Sequence, residues 1–354
     1  MKPDHARTVT ASGAHGEGGG ALLRTLLQMS ALTEQGLALH SIRGAMRRPG
    51  LNAEDLTFIQ ALAESTGQNL EDLNLGDDRL TFQPLHGPHA IRMTLDVHSH
   101  DKGMHPGSAC VIGHGLLPVL SQAGAMSRLT LIGETHGSSV LSYDSFEQAT
   151  LALHRRQALY AFPSLVEAGF GYGSRGKLHL EIEPGPFEPI QWTSRGLVKE
   201  CGIVITYNNV ESGPLEEQAD IAAAELSAKG LKPGMELHEV HAKDRGASLT
   251  IWARCERGGG TGSAHLGKGL SISHLAETAL RGFGEWHDSQ AALDPYLADQ
   301  VLIPAAFAPE RSVFTTSQIT RRLTTMVWAI KQFLPIKATV MGREGEPGTV
   351  TLER

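Results

Sequence analysis

The chain has 354 residues, 41% hydrophobic and 19% charged, with a net charge of −7. This length can bury a large core and suits one large domain with a smaller companion. The acidic balance excludes a general attraction to nucleic acid and leaves any RNA contact to a local patch such as Arg43, Arg47 and Arg48. Three scattered cysteines, Cys110, Cys201 and Cys255, exclude a disulfide framework or zinc knuckle. The N-terminus has no charged-then-apolar signal and no apolar run reaches spanning length, so a cytoplasmic protein without a membrane segment is expected.

The first predicted element is a turn, Gly16-Glu17-Gly18-Gly19-Gly20, running into an apolar helix over 22–32. Glycines free the backbone N–H groups of such a turn, and the positive end of the helix favours an anion there. Glu17 suits a metal ion, and Arg24 adds a cation one turn further on. A flexible loop has the same composition. A strand at 38–42 follows, then a helix over 53–65 capped by Asn52. Short strands around 80–82 and 91–97, a helix over 108–122, a strand at 129–132 and a long helix over 143–160 continue the alternation. The fold class this suits is α/β (α+β), with repeated β-α-β-α-β-β modules whose layered sheets carry helices on one face.

Pro184-Gly185-Pro186 reads as a linker into a smaller inserted α/β domain over 187–273, leaving 1–186 and 274–354 as the main domain. Inside the insert, strands at 202–206, 237–241 and 248–253 accompany a helix over 215–229. Arg257-Gly258-Gly259-Gly260-Thr261-Gly262 lacks the Lys-Ser/Thr of a P-loop and reads as a mobile hairpin tip. A helix over 271–287 then returns the chain to the main fold.

Residues 16–24, Ile42-Arg43 with Pro49-Gly50-Leu51, Gly107-Ser108, Thr135, Tyr296-Leu297-Ala298-Asp299-Gln300, Leu302-Ile303-Pro304, Phe314-Thr315 and Phe333-Leu334-Pro335 occur in one order. In that order and spacing they resemble the RNA 3'-terminal phosphate cyclase family over almost the whole chain. The resemblance implies ATP-dependent conversion of an RNA 3'-phosphate to a 2',3'-cyclic phosphate through a histidine-linked AMP, with Mg²⁺ or Mn²⁺. It also implies RNA 3' ends and a nucleotide as partners, with no DNA expected. Glu17, Gly18, Gly19, Arg24 and Arg43 would hold phosphate, with Glu17 and Asp299 near the metal. Tyr296, Asp299 and Gln300 would hold adenine, ribose or metal; helical spacing puts them on one face. Guanidinium groups suit phosphate because they stay charged and bind it in a bidentate way.

One position departs decisively. Ungapped alignment between Phe314-Thr315 and Phe333-Leu334-Pro335 puts Arg322 where the family has its nucleophilic histidine, and no histidine follows His287. A protonated guanidinium has no free lone pair for phosphorus. Ala21, Met46, His114 and Leu141 also stand where the family usually has other residues, and Gly133–Ser138 replaces its Gly-Gly-Thr-Asp-Asn-Pro-like turn. His114 and His136 are the candidate substitute nucleophiles; a non-catalytic RNA- or nucleotide-binding protein is the alternative. A third expectation is a transition-metal phosphoester hydrolase. His98 and His100, if extended, would share a face, with His105, Asp101, His114 or His136 completing the site; a polar loop in a chain with 17 histidines is the plainer reading.

Overall fold

The computed structural model describes residues 7–70, 73–100, 107–137, 141–267 and 270–354. The chain opens with β1 (Thr8–Ser12), α1 (Gly20–Thr33), β2 (Gly36–His40), α2 (Ala53–Thr66) and β3 (Arg79–Phe82). β1 and β2 run parallel and β3 adds antiparallel to β2. The expected cap holds: Asn52 and Asp55 form a reciprocal capping box at the start of α2.

A second module follows: β4 (Arg92–Asp96), α3 (Ala109–Leu120), β5 (Ser127–Gly133), the helical segment α4 (Tyr143–Ser145) and α5 (Leu151–Arg155), then β6 (Tyr160–Glu167) and β7 (Gly176–Glu183). Its strand order is β4-β5-β7-β6, parallel across the first pair and antiparallel thereafter. The long helix expected over 143–160 contains a π-helical stretch, Phe146–Thr150, and ends at Arg155. Ala158 then turns through a left-handed φ of 57°, and Tyr160 already belongs to β6.

The two-residue strand β8 (Gln191–Trp192) is followed by a separate sheet of β9 (Val198–Asn208), β10 (Gly234–Glu239), β11 (Gly246–Cys255) and β12 (Gly259–His265). Its order is β10-β9-β11-β12, with α6 (Ser212–Ala228) and α7 (Leu275–Ser289) packed on it. The main chain resumes with α8 (Pro295–Gln300), α9 (Leu302–Phe307), β13 (Ser312–Thr316), α10 (Arg321–Phe333), β14 (Lys337–Met341) and β15 (Gly348–Glu353). β8 pairs parallel with β13, β13 antiparallel with β15, and β15 with β14. This order repeats that of the second module, so the separate sheet interrupts a third module between its first strand and its helices. The first module has the same parallel pair and an antiparallel third strand.

One buried apolar cluster runs through all three modules, from Val9 to Leu352. A second, from Cys201 to Trp286, lies under the separate sheet. Two details differ from the sequence reading. The glycines at 259, 260 and 262 lie in β12, not at a mobile tip. A Cβ at Gly260 would run into the Trp286 ring, and one at Gly262 into the carbonyl of Ala279. These glycines therefore let α7 lie directly on the sheet. The helix α7 itself buries Leu275, Ala276, Ala279, Phe283 and Trp286 in the second core, and the chain rejoins the modules only after it. No helix among the described residues is long and apolar enough to cross a membrane.

Candidate functional site

The glycine turn before α1 is filled rather than open. Gly16 and Gly18 have φ of 60° and 61°, and the space a side chain would take is held by Thr325 and Ala45 respectively. The Glu17 N–H donates to Thr325 Oγ1 at 3.0 Å. Its carboxylate Oε1 accepts from the Leu22 N–H at 3.1 Å, so Glu17 itself serves one of the free donors of the helix N-terminus. At Gly20 a Cβ would lie 3.0 Å from Nη1 of both Arg24 and Arg43. The bare glycine thus lets two guanidinium groups meet over the first turn of α1.

Both arginines are braced by α2. Arg24 Nη1 lies 2.7 Å from Glu54 Oε1, and Glu54 Oε2 accepts from the N–H of Ser108, the N-cap of α3, at 2.8 Å. Arg43 Nη1 lies 3.1 Å from Asp55 Oδ2. Burial pushes the Asp55 carboxyl up, while Arg43 and Arg24 pull it down. Ser41 and Arg43 both hold a left-handed φ of 52°, a conformation costing about 1–2 kcal/mol for a residue with a side chain. Such outliers persist where surrounding contacts fix them, as Asp55 fixes Arg43.

The facing wall comes from α8 and α10. Asp294 caps α8 by accepting from the N–H groups of Tyr296 and Leu297 at 2.8 and 2.7 Å. Its other oxygen accepts from the Thr261 N–H and hydroxyl at 2.8 and 3.0 Å, tying α8 to β12. Arg322, in the first turn of α10, donates from Nε to Asp299 Oδ2, and its guanidinium lies 5.5 Å from the centre of the exposed Tyr296 ring. Burial pushes the Asp299 carboxyl up to about 6, against the pull of Arg322. Asp299 Oδ1 and Gln300 Oε1 are buried without a hydrogen-bond partner among the described residues.

Between the walls lies α3. Its His114 ring stacks on His154 with centroids 5.4 Å apart. Burial, then His154, Arg24 and Arg322, hold His114 well below the usual imidazole range, so the ring is neutral. Burial likewise pushes His154 down to about 4.

These surfaces enclose a cleft of about 1210 Å³. It brings together Arg24, Arg43, His114, Tyr296, Asp299, Gln300 and Arg322 among the residues singled out in the sequence. Glu17, Gly18 and Gly19 do not line it, although the charge of Glu17 still acts on Asp299 and Arg322. His136 is 1% exposed and stays outside the lining: its ring stacks on Phe170 at 5.1 Å, with Nε2 3.5 Å from Asp144 Oδ2. That burial leaves it no access to a nucleotide in the cleft.

The extended backbone that would align His98 with His100 is replaced by a 3₁₀ turn, Val97–Ser99, capped by Asp96. His98 Nε2 lies 3.2 Å from the Gly173 carbonyl and Nδ1 3.4 Å from Asp96 Oδ1. His105 and Asp101 lie outside the described residues, as does Ser138 of the 133–138 turn. Among the described residues no group of three or more His, Cys, Asp or Glu side chains is placed to hold a metal ion.

Several cleft residues escaped the sequence reading. Glu54 and Asp55 were visible as first-turn acids behind Asn52, and Asp294 as an N-cap followed by Pro295. Thr261 and His265 of β12 also face the cleft. Nothing local marks them, because only the packing of the second unit brings β12 there.

The family described as RNA 3'-terminal phosphate cyclase matches residues 15–340. A protein of Methylococcus capsulatus named RNA 3'-terminal phosphate cyclase is 32% identical over 323 residues, covering 91% of this chain and 90% of its own length. Proteins of the same name from Nostoc punctiforme and Ralstonia nicotianae are 28% and 29% identical. They cover 91% and 95% of this chain, and 92% and 94% of their own lengths.

Proposed function

The chain belongs to the RNA 3'-terminal phosphate cyclase family, and from that premise we propose that its cleft binds a phosphorylated RNA 3' end with a nucleotide, without covalent AMP transfer through α10. In the same reading, the sheet and helices between β8 and α8 form an inserted unit that closes one side of the cleft. The observation that carries this is Arg322. The ungapped alignment puts it at the position of the family nucleophile; it stays protonated and is occupied by Asp299 and Tyr296. A guanidinium there holds phosphate but cannot attack it.

Arg24 and Arg43 supply two further guanidinium groups on the facing wall, and Tyr296 offers an exposed ring face for a base. The unpartnered Oδ1 of Asp299 would suit Mg²⁺ or Mn²⁺ held jointly with ligand phosphates, with the charge of Glu17 acting from behind the lining. When bound, such an ion offsets phosphate charge and polarises phosphoryl oxygens.

A second reading has one specific observation behind it. His114 is a neutral imidazole in the cleft with Nε2 unpartnered among the described residues. As a substitute nucleophile it would form a P–N bond to the α-phosphorus of ATP and expel pyrophosphate. The RNA 3'-phosphate would then take the AMP, and attack by the 2'-hydroxyl would close the ring and release AMP.

Incubation with labelled ATP, Mg²⁺ or Mn²⁺ and a short 3'-phosphorylated RNA separates the two. RNA retained with no protein–AMP and no phosphatase-resistant end is the expected result. An adduct that disappears in His114→Ala would establish the second reading and overturn the first.

A further inference from the structure

The charge of this chain is unevenly spread. Residues 7–16, 35–53 and 311–343 contain ten Lys or Arg and no Asp or Glu, although the net charge of the whole is −7. The fold brings these three stretches together outside the cleft. The Glu17 N–H donates to Thr325 Oγ1 of α10 at 3.0 Å, which seats the turn before α1 on that helix. A Cβ at Gly44 would lie 3.0 Å from the Ala14 Cβ, and one at Gly18 would lie 2.5 Å from that of Ala45. The loop after β2 therefore lies directly on the same turn.

The inner face of α10 is buried through Leu323, Met326, Val327, Ile330 and Phe333. Its other face carries Arg321, Thr324, Trp328 and Lys331, three and four residues apart along about 15 Å of helix. Arg321 lines the cleft, so this stripe begins there and leads outward. Glu344 lies 3.6 Å from Arg321, but both side chains are more than half exposed and the pair is too screened to cancel the charge. Further along, the Trp328 ring stacks on His15, with centroids 3.7 Å apart and planes 19° from parallel. His15 is exposed and stacks on no other ring among the described residues, so its outer face is open to a further ring. Arg47 and Arg48 are exposed on the loop beside it, whereas Arg43 of the same loop turns inward to Asp55.

Cations interleaved with an open ring face suit a single strand of nucleic acid, whose phosphates follow the charges while its bases stack on the rings. An acidic peptide would meet the charges but leave the ring stack unused. A duplex, with its bases already stacked on one another, would do the same.

We infer that the outer face of α10, with His15 and the 44–48 loop, is a track for the single-stranded RNA upstream of the 3' end, read by charge and stacking and not by base identity. This inference rests on the binding reading above, which puts the 3' end itself in the cleft.

Fluorescence anisotropy with the full chain tests it on two 3'-phosphorylated RNAs, a dinucleotide that reaches only the cleft and a single strand of about ten nucleotides. The wild type should bind the longer strand roughly tenfold tighter or more, whatever its sequence. The ratio of the two affinities is the readout for each variant. Arg47→Gln combined with Arg48→Gln should shrink that ratio and lower the salt slope for the longer strand by about 1.4, at about 0.7 per phosphate contact. His15→Ala, at an exposed position, should shrink the ratio roughly fivefold, and Trp328→Leu at least as much.

Equal affinity for the two RNAs, or a ratio unchanged in both His15→Ala and the double arginine variant, would overturn the track while leaving the cleft reading intact. A ratio that depends on the arginines but not on His15 or Trp328 would mark a patch for any polyanion and overturn the single-strand assignment. Failure of the dinucleotide to bind would sink the cleft reading, and with it a track that leads from the cleft.

Discussion

The two walls of the cleft hold their arginines in different ways. On the α1 and α2 side, Arg24 and Arg43 have side chains only 18% and 17% exposed and are braced by carboxylates of α2 that also organise its first turn and the start of α3. On the α8 and α10 side, the Arg322 side chain is 37% exposed and bound by one carboxylate and one ring face. Changing the first wall disturbs the packing of three helices, whereas changing position 322 disturbs one ion pair. In the proposed reading, the phosphate-holding arginines are tied into the core, while position 322 stands on a surface where a change costs the fold less.

The largest effect that could break this contrast is a gain. Arg322→His puts an imidazole with a free lone pair in the first turn of α10, where the Thr320 cap on the Leu323 N–H is untouched. With labelled ATP and Mn²⁺, a protein–AMP band is expected where the wild type shows none. If no band forms, position 322 is not the one change that removes the chemistry, and other cleft positions such as Ala21 and Leu141 share in it.

Next in size is the contrast in stability. Arg43→Ala strands Asp55, a fully buried carboxylate, and removing one partner of such a pair costs about 3–5 kcal/mol. Arg322→Ala should cost less, about 1–2 kcal/mol, because the Arg322 side chain is 37% exposed against 17% for Arg43, so its ion pair is the more screened of the two. Urea unfolding of the two variants at pH 7 measures both; equal losses would show that the walls are not braced differently.

Much of this was legible because it depends on local chemistry. The cap at Asn52 and most of the alternation of helix and strand follow from residue type and spacing, and they appear where expected. The absence of any histidine beyond His287, on which the proposed loss of the nucleophile rests, is a plain fact of the sequence. What failed depends on distant partners. A glycine run looks the same in a mobile loop and in a strand against which Trp286 packs closely. His114 and His136 looked equivalent as candidates, yet one lines the cleft and the other is shut against Phe170 and Asp144. The pairing of His98 with His100 differs for a local reason: it needed an extended backbone, and Asp96 instead caps a tight turn there.

The smallest effect concerns the floor between the walls. His154 is buried, with its pKa pushed down to about 4, against an ordinary value of 6.5. Below pH 6.5 the unfolded chain binds a proton there that the folded chain refuses. Its contribution to stability is therefore intact above pH 6.5 and lost as pH falls from 6.5 towards 4. At pH 5 this amounts to about 2 kcal/mol, at 1.36 kcal/mol per pH unit. His265, also near 4, and His114 act in the same direction, so His154→Leu should remove only part of the acid sensitivity. Unfolding measured at pH 7 and pH 5 should show a smaller drop in the variant than in the wild type. An unchanged drop would mean that His154 takes a proton in the folded state. The floor would then carry positive charge beside the His114 ring at pH 5.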